Sequence, residues 1–146
     1  MVRRARWDEL PAILLLEKET PHAAHWFEEA YQAAFQPGAP DRIFLVSEEN
    51  AELQGFVIAR LSSAECELEN IVVTPPHRRR GIGSRLLQAV ISAASERTAK
   101  SILLEVRESN LQAAGFYSSL GFKESGRRKS YYRNPVEDAI LYRLQI

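Results

Sequence analysis

A basic, glycine-containing segment is the part of the sequence whose residue types and spacing point most clearly to chemistry. Cations are unfavourable at a helix N-terminus, which is already partly positive, so a bound anion would balance an arginine run placed there. Glycines let the backbone approach an anion, and the first-turn N–H groups of a helix are free to bind it. The spacing therefore predicts a pyrophosphate site, with a solvated basic turn as the alternative. Its residues are Arg78, Arg79, Arg80, Gly81, Ile82, Gly83 and Ser84.

Two further side chains have the chemistry to move protons. Glu105 lies in an otherwise apolar strand pattern, where desolvation makes a carboxylate a better proton acceptor. A structural ion pair, with Arg107 or another residue, explains this position equally well. Tyr117 lies about two turns into a helix that Asn110 can cap, and its phenol could protonate a leaving group. A core aromatic is the alternative for Tyr117.

Hydrophobic periodicity predicts the elements that must position these residues. The expected helices are 8–19, 24–35, 82–94 and 110–120, and the expected strands are 42–47, 51–61, 65–73, 101–107, 122–132 and 138–144. Bulges are expected at Gly55 and midway along strand 65–73. This mixed order predicts an α/β or α+β sheet with helices on both faces.

Composition limits the class of protein. The chain has 146 residues with 19 basic and 19 acidic side chains, and 45% of its residues are hydrophobic. We therefore expect one globular domain, 1–146, that does not bind nucleic acid through its overall charge. No apolar run approaches the roughly 18 residues of a membrane span, and the basic N-terminus lacks a cleavage site. We expect a cytoplasmic protein.

Metal and thiol chemistry are not expected. The single cysteine, Cys66, excludes a disulfide framework within the chain and a cysteine-based zinc site. We interpret it as a small buried hydrophobe, because no motif places a base beside it. His22 and His25 lie three residues apart without a third ligand, so we predict no metal site.

Several motifs together resemble the GCN5-related N-acetyltransferase (GNAT) superfamily. Arg78-x-x-Gly81-x-Gly83 is similar to the family's Arg/Gln-x-x-Gly-x-Gly/Ala motif, which binds the pyrophosphate of acetyl-coenzyme A (acetyl-CoA). From about residue 65 onward the chain resembles the RimI-type ribosomal-protein-alanine N-acetyltransferases; at 24–27 it lacks the Pro-Trp-Ser that is frequent in that family. The resembling segments are 69–73, 104–110, 113–122, Tyr131-Tyr132 and 137–139.

The resemblance implies a GNAT fold. Its sheet would be mixed, mostly antiparallel and of about seven strands, and it would splay between the fourth and fifth strands. Free backbone groups at the splay would bind the pantetheine arm, and one N–H would polarise the thioester carbonyl. The implied residues for acetyl-CoA binding are Ile71, Val72, Val73, Arg78, Arg79, Arg80, Gly81, Ile82, Gly83, Ser84 and Asn110.

The resemblance also implies a reaction. It is direct transfer of acetyl to the N-terminal α-amine of a protein, with the N-terminal alanine of ribosomal protein S18 as the first candidate. Glu105 matches the family's proton acceptor, acting through water, and Tyr117 its proton donor. Tyr131 and Tyr132 would form a wall over the acceptor, ordinary strand aromatics being the alternative. Two other functions remain: acetylation of lysine or a small amine, and a non-catalytic acyl-CoA-binding module, against which the retention of Glu105 and Tyr117 argues.

Overall fold

A computed structural model describes residues 1–20, 28–37 and 41–146. Within these ranges there are seven strands and four α-helices, with short 3-10 helices at Trp7–Glu9 and Pro75–His77. The strands are β1 (Val2–Arg4), β2 (Arg42–Glu49), β3 (Glu52–Ser62), β4 (Glu65–Val73), β5 (Ser101–Arg107), β6 (Lys123–Tyr132) and β7 (Glu137–Gln145). The helices are α1 (Leu10–Lys18), α2 (Glu28–Ala33), α3 (Ile82–Glu96) and α4 (Leu111–Ser119).

The strands form one sheet in the order β1-β2-β3-β4-β5-β7-β6. Every neighbouring pair is antiparallel except β4–β5, which is parallel. The β4–β5 pairing extends from Glu65 opposite Ser101 only to Glu67 opposite Leu103. Both strands then continue without pairing to each other. The predicted mixed, mostly antiparallel GNAT sheet, splayed between its fourth and fifth strands, is confirmed.

Helices cover both faces of this sheet, as predicted. On one face α3 packs through a stripe at helical spacing, formed by Ile82, Leu86, Leu87, Val90 and Ala94, and α4 packs through Tyr117. On the other face α1 and α2 bury Leu10, Ile13, Leu16 and Tyr31. The interior strand β3 contributes to both cores: Val57 and Ala59 face α3, whereas Phe56 and Ile58 face α1. Strand alternation produces this division.

A bulge in β4 changes which side chains face each core. The β3–β4 register shifts at Glu69, which lies between Leu68, opposite Ala59, and Asn70, opposite Ile58. Cys66 and Leu68 therefore belong to the core under α3, whereas Val72 belongs to the core under α1. The predicted bulge in this strand is confirmed. A second register shift lies beside Gly55, where a Cβ atom would approach the carbonyl oxygen of Val72 to 2.4 Å.

The N-terminal strand β1 is missing from the periodicity-based prediction. Its Arg3 is paired with Glu9 at 2.6 Å and with Glu48 at 2.8 Å. The predicted start of the second helix lies outside the described residues, and the helix ends at Ala33 rather than at residue 35. His22, His25 and the 24–27 segment also lie outside the described residues. No helix in the described ranges is both long and apolar enough to cross a membrane.

Candidate active site

The divergence of β4 from β5 opens a cleft of about 920 Å³, near the upper end of the range for ligand pockets. Its walls come from both diverging strands, the loop before α3, α4 and the end of β6. The structure brings most of the predicted site residues to this cleft. These are Ile71, Val73, Arg78, Arg79, Gly81, Ile82, Gly83, Ser84, Glu105, Asn110, Tyr117, Tyr131 and Tyr132.

Two of the predicted site residues, Val72 and Arg80, are absent from the cleft lining. The side chain of Val72 is only 1% exposed and packs in the core under α1, because the bulge at Glu69 turns it away from α3. Arg80 is exposed, in the loop that precedes α3. Of the three arginines in the basic turn, Arg78 and Arg79 line the cleft.

The basic turn has the backbone shape of an anion site. Arg79 and Gly81 adopt left-handed conformations, with φ of +63° and +77°, immediately before α3 begins at Ile82. Turns of this kind gather N–H groups into a concave surface, and the free N–H groups of the first turn of α3 extend it. Arg78 is partly used within the fold, because its Nε donates to the Val73 carbonyl at 3.1 Å. The residues present fit a pyrophosphate.

Glycine is needed at positions 81 and 83 for different reasons. A Cβ atom at Gly81 would meet nothing closer than Arg85 Nη1 at 3.5 Å, so its positive φ is what requires glycine. A Cβ atom at Gly83 would lie 3.3 Å from Phe116 Cζ. Gly83 therefore allows α4 to pack closely against the start of α3.

Glu105 faces the cleft from β5, with 22% of its side chain exposed. Its Oε1 lies 2.9 Å from Arg128 Nε, and Tyr131 lies nearby. The negative charge of Glu105 raises the pKa of Tyr131. The anticipated ion pair thus exists, but with Arg128, while Arg107 pairs with Glu137 at 3.2 Å. A carboxylate in this position can take up a proton from an amine in the cleft.

Tyr117 is a core residue that also lines the cleft. Only 7% of it is exposed, and its ring packs edgewise against Phe116 and Phe122, with centroids 5.2 and 5.5 Å away. Burial raises the pKa of the Tyr117 phenol, and the nearby Tyr132 raises it further. The phenol is protonated at neutral pH, as an ordinary tyrosine is, and the raised pKa makes it a weaker acid. The ring contacts are those of a core aromatic, and the role of Tyr117 as proton donor stays a prediction.

Asn110 starts α4, as its residue type predicts. Its Oδ1 accepts the N–H of Ala113 at 3.1 Å, and Gly121 follows the helix with φ of +96°. The cap places Asn110 at the cleft wall and sets the direction of α4, on which Tyr117 lies.

Tyr131 and Tyr132, at the end of β6, form one wall of the cleft. Tyr131 is 51% exposed, whereas burial raises the pKa of Tyr132 to about 12. Arg107 lies over the Tyr132 ring and donates to the carbonyls of Arg133 and Pro135 at 3.3 and 3.4 Å. Sequence reasoning missed Arg128, and it considered Arg107 only as a partner for Glu105. Arg128 precedes Tyr131 by three residues, but this spacing predicts its place beside Glu105 only weakly, because that place depends on how β6 bends.

In the part of the chain that the structure describes, neither the thiol nor a metal-binding cluster forms a second reactive centre. Cys66 is fully buried, and burial raises the pKa of its thiol to about 11, so it remains protonated at neutral pH. Within the described residues, no group of three or more His, Cys, Asp and Glu side chains is placed to hold a metal ion.

Comparison with known proteins identifies the family. Residues 6–122 match the family described as Acetyltransferase (GNAT) family. The chain belongs to the GNAT acetyltransferases. It is 35% identical, over 140 residues, to the [Ribosomal protein bS18]-alanine N-acetyltransferase of Escherichia coli strain K12, covering 94% of this chain and 92% of that one. The similarity therefore extends to the N-terminal part, where the sequence motifs are weakest.

Solved GNAT structures agree with this assignment. The crystal structure of the ribosomal-protein-S18-alanine N-acetyltransferase from Escherichia coli is 31% identical, with a TM-score of 0.86 over 100% of this chain and 93% of that one. A putative streptothricin acetyltransferase from Bacillus anthracis in complex with acetyl coenzyme A is 27% identical, with a TM-score of 0.69 over 75% and 65% of the two chains. This GNAT protein is an N-acetyltransferase of the RimI type.

Proposed function

We propose that this GNAT enzyme transfers acetyl from acetyl-CoA to the N-terminal α-amine of a protein, and that the N-terminal alanine of ribosomal protein S18 is its acceptor in the cytoplasm. The observation that supports this most strongly is one cleft shared by the basic turn, Glu105 and Tyr117. The relative named for this acceptor supports the choice of substrate.

The basic turn makes one part of the cleft positive. Arg78 and Arg79 lie beside the start of α3. The glutamates on the diverging strands, Glu67, Glu69 and Glu105, pair with Arg60, Arg42 and Arg128. Clefts lined by one sign of charge attract ligands of the other sign, so an anionic cofactor is favoured beside α3.

The proton transfers follow from this arrangement. Acetyl-CoA, when bound, supplies an activated acyl carbon and a sulfur leaving group. Glu105 takes a proton from the acceptor ammonium, directly or through water, and the N–H bonding pair becomes the lone pair of the amine. The amine nitrogen then bonds to the acyl carbon as the C–S bond breaks, and Tyr117 gives its hydroxyl proton to the departing sulfur. The second proton that the nitrogen loses in becoming an amide restores the Tyr117 hydroxyl. The unpaired edge of β4 between Leu68 and Val73 orients the acyl group through its N–H and carbonyl groups.

An α-amine suits a single carboxylate base better than lysine does. The α-amine has an ordinary pKa of about 7.7–8.0 and lysine one of about 10.4, so neutral lysine costs roughly 3.5 kcal/mol more at the same pH. The α-amine is thus already partly neutral under physiological conditions. The proposed function uses Glu105 only to complete this deprotonation.

Peptide competition tests the acceptor. One peptide begins with the free alanine, and its partner has the same sequence, a blocked N-terminus and an internal lysine. We expect the acetyl group on the alanine amine, mapped by mass spectrometry. Equal or greater labelling of the lysine would overturn the α-amine assignment. Binding of acetyl-CoA without transfer to either peptide would favour the non-catalytic module.

A further inference from the structure

The part of β6 that lies over Glu105 departs from regular strand geometry. The β6–β7 register shifts between Arg128, opposite Ala139, and Tyr132, opposite Glu137. Ser130, within the irregular stretch, has φ of +50° and donates its N–H to Asp138 at 2.8 Å. In a regular strand, residues three apart point to opposite faces. This irregularity instead brings both Arg128 and Tyr131 to Glu105.

Arg128 places a positive charge on the carboxylate that the acceptor amine must reach. Its Nε is 2.9 Å from Glu105 Oε1, and its guanidinium carbon lies 5.7 Å from the centre of the Tyr131 ring. The Arg128 side chain is 56% exposed. Because an exposed ion pair is held weakly against water, another cation can replace this guanidinium at little cost.

The other arginine of this wall is held differently. Arg107 donates to the Arg133 and Pro135 carbonyls, pairs with Glu137 and lies against the Tyr132 ring. These contacts use both ends of its planar guanidinium, so Arg107 is fixed within the fold. Arg128 is the arginine of the pair that can leave.

We propose that Arg128 is an internal cation that the acceptor ammonium replaces at Glu105, which makes it a specificity-determining residue. The inference uses one part of the proposed function, namely that the acceptor amine binds beside Glu105. The incoming ammonium takes over the ion pair, and the Arg128 side chain turns to solvent. Glu105 then accepts the ammonium proton, forming an O–H bond as the N–H bond breaks.

This exchange selects for charge and favours product release. A neutral ligand has no charge with which to replace Arg128 at Glu105. After transfer the acceptor nitrogen is an amide without charge, so the guanidinium returns to the carboxylate when the proton leaves. The acetylated product therefore loses the contact that drew the substrate in.

The test compares charge at position 128 with charge at its neighbour. Arg128→Gln removes the guanidinium charge, Arg128→Lys keeps a cation, and Arg127→Gln is the matched control, because Arg127 pairs with Asp138 and Glu108 at 2.7 and 3.0 Å. KM is measured for the peptide amine that the wild-type enzyme acetylates, and the inhibition constant for the same peptide already acetylated. The rise in melting temperature with coenzyme A verifies that each variant is folded and binds cofactor.

We expect Arg128→Gln to lower the acceptor KM by about two- to fivefold and to leave the inhibition constant of the acetylated peptide unchanged. Arg128→Lys and Arg127→Gln should keep the wild-type values of both. A higher KM in Arg128→Gln, an unchanged KM, or an equal shift for the free and acetylated peptides would overturn the exchange. If the wild-type enzyme labels lysine instead of alanine, the proposed function fails, and the lysine peptide tests Arg128 in the same way.

Discussion

Arg107 lies over the ring of Tyr132, with its guanidinium carbon 4.3 Å from the ring centre. The contact joins the end of β5, where Glu105 lies, to the wall of the cleft. Tyr132 is also close enough to Tyr117 to raise the pKa of that phenol. One stacked pair thus links the proposed base, the acceptor wall and the proposed acid.

Replacing Arg107 should loosen this wall. Arg107→Ala removes the stacking contact and the hydrogen bonds to the 133–137 loop, so we expect the acceptor KM to rise about three- to tenfold. The dissociation constant of coenzyme A should change little. Arg143→Ala is the control, because Arg143 pairs with Glu65 at the closed end of the splay. An unchanged acceptor KM in Arg107→Ala would argue against a positioning role.

Gly81 should be essential for cofactor binding. Gly81→Val places a β-branched residue at φ of +77°, which L side chains rarely adopt, so the turn must rearrange. We expect coenzyme A to lose its effect on the melting temperature. Gly115→Ala serves as a control, since a Cβ atom there meets nothing within 4 Å and alanine favours the helix. A folded Gly81→Val variant with wild-type affinity would refute the site.

Glu105→Gln should lower turnover while cofactor binding is kept. Loss of a general base costs on the order of 10²–10⁴-fold, and the loss should shrink at high pH, where free amine is already abundant. Two quantities are measured: kcat from about pH 6 to about pH 9, which spans the ordinary pKa of an α-amine, and the affinity for coenzyme A. Glu65→Gln is the matched control from the paired end of β4. A wild-type rate in Glu105→Gln would remove Glu105 from the mechanism.

Tyr117→Phe should lower turnover by a comparable factor, on the order of 10²–10⁴-fold, if its hydroxyl supplies the proton. The ring contacts with Phe116 and Phe122 persist in phenylalanine, so the melting temperature should change little. Because the pKa of Tyr117 is raised, kcat should show no alkaline decrease from this group below about pH 10. A loss of activity that follows a loss of folding would point to a purely structural role.

Stability should fall at alkaline pH. Burial raises the pKa values of Tyr31, Tyr117 and Tyr132 above their ordinary value in the unfolded chain. Above about pH 10 the unfolded state loses phenolic protons that the folded state keeps, so the free energy of unfolding decreases as pH rises. Denaturant titrations from neutral pH to beyond this value measure the decrease. Tyr117→Phe should reduce its slope; an identical slope would mean that Tyr117 ionises freely in the folded state.

Much of the fold is encoded locally and could be predicted from residue patterns. The strand 101–107, the start of the helix at Ile82 and the cap at Asn110 all lie where the pattern places them. Periodicity and capping depend on neighbours within a few residues, so they are visible in a single sequence. The basic turn was recognisable for the same reason, since its glycines and arginines are contiguous.

The arrangement around Glu105 depends on contacts between distant segments. Arg128 rather than Arg107 pairs with Glu105, because an irregular stretch of β6 turns Arg128 toward β5. Val72 leaves the cleft because one extra residue in β4 reverses its alternation. The strand at Val2–Arg4 pairs with β2, and its Arg3 meets Glu48, which is 45 residues away. Register and ion pairing across strands arise from packing of the whole sheet, so no local pattern could assign these partners.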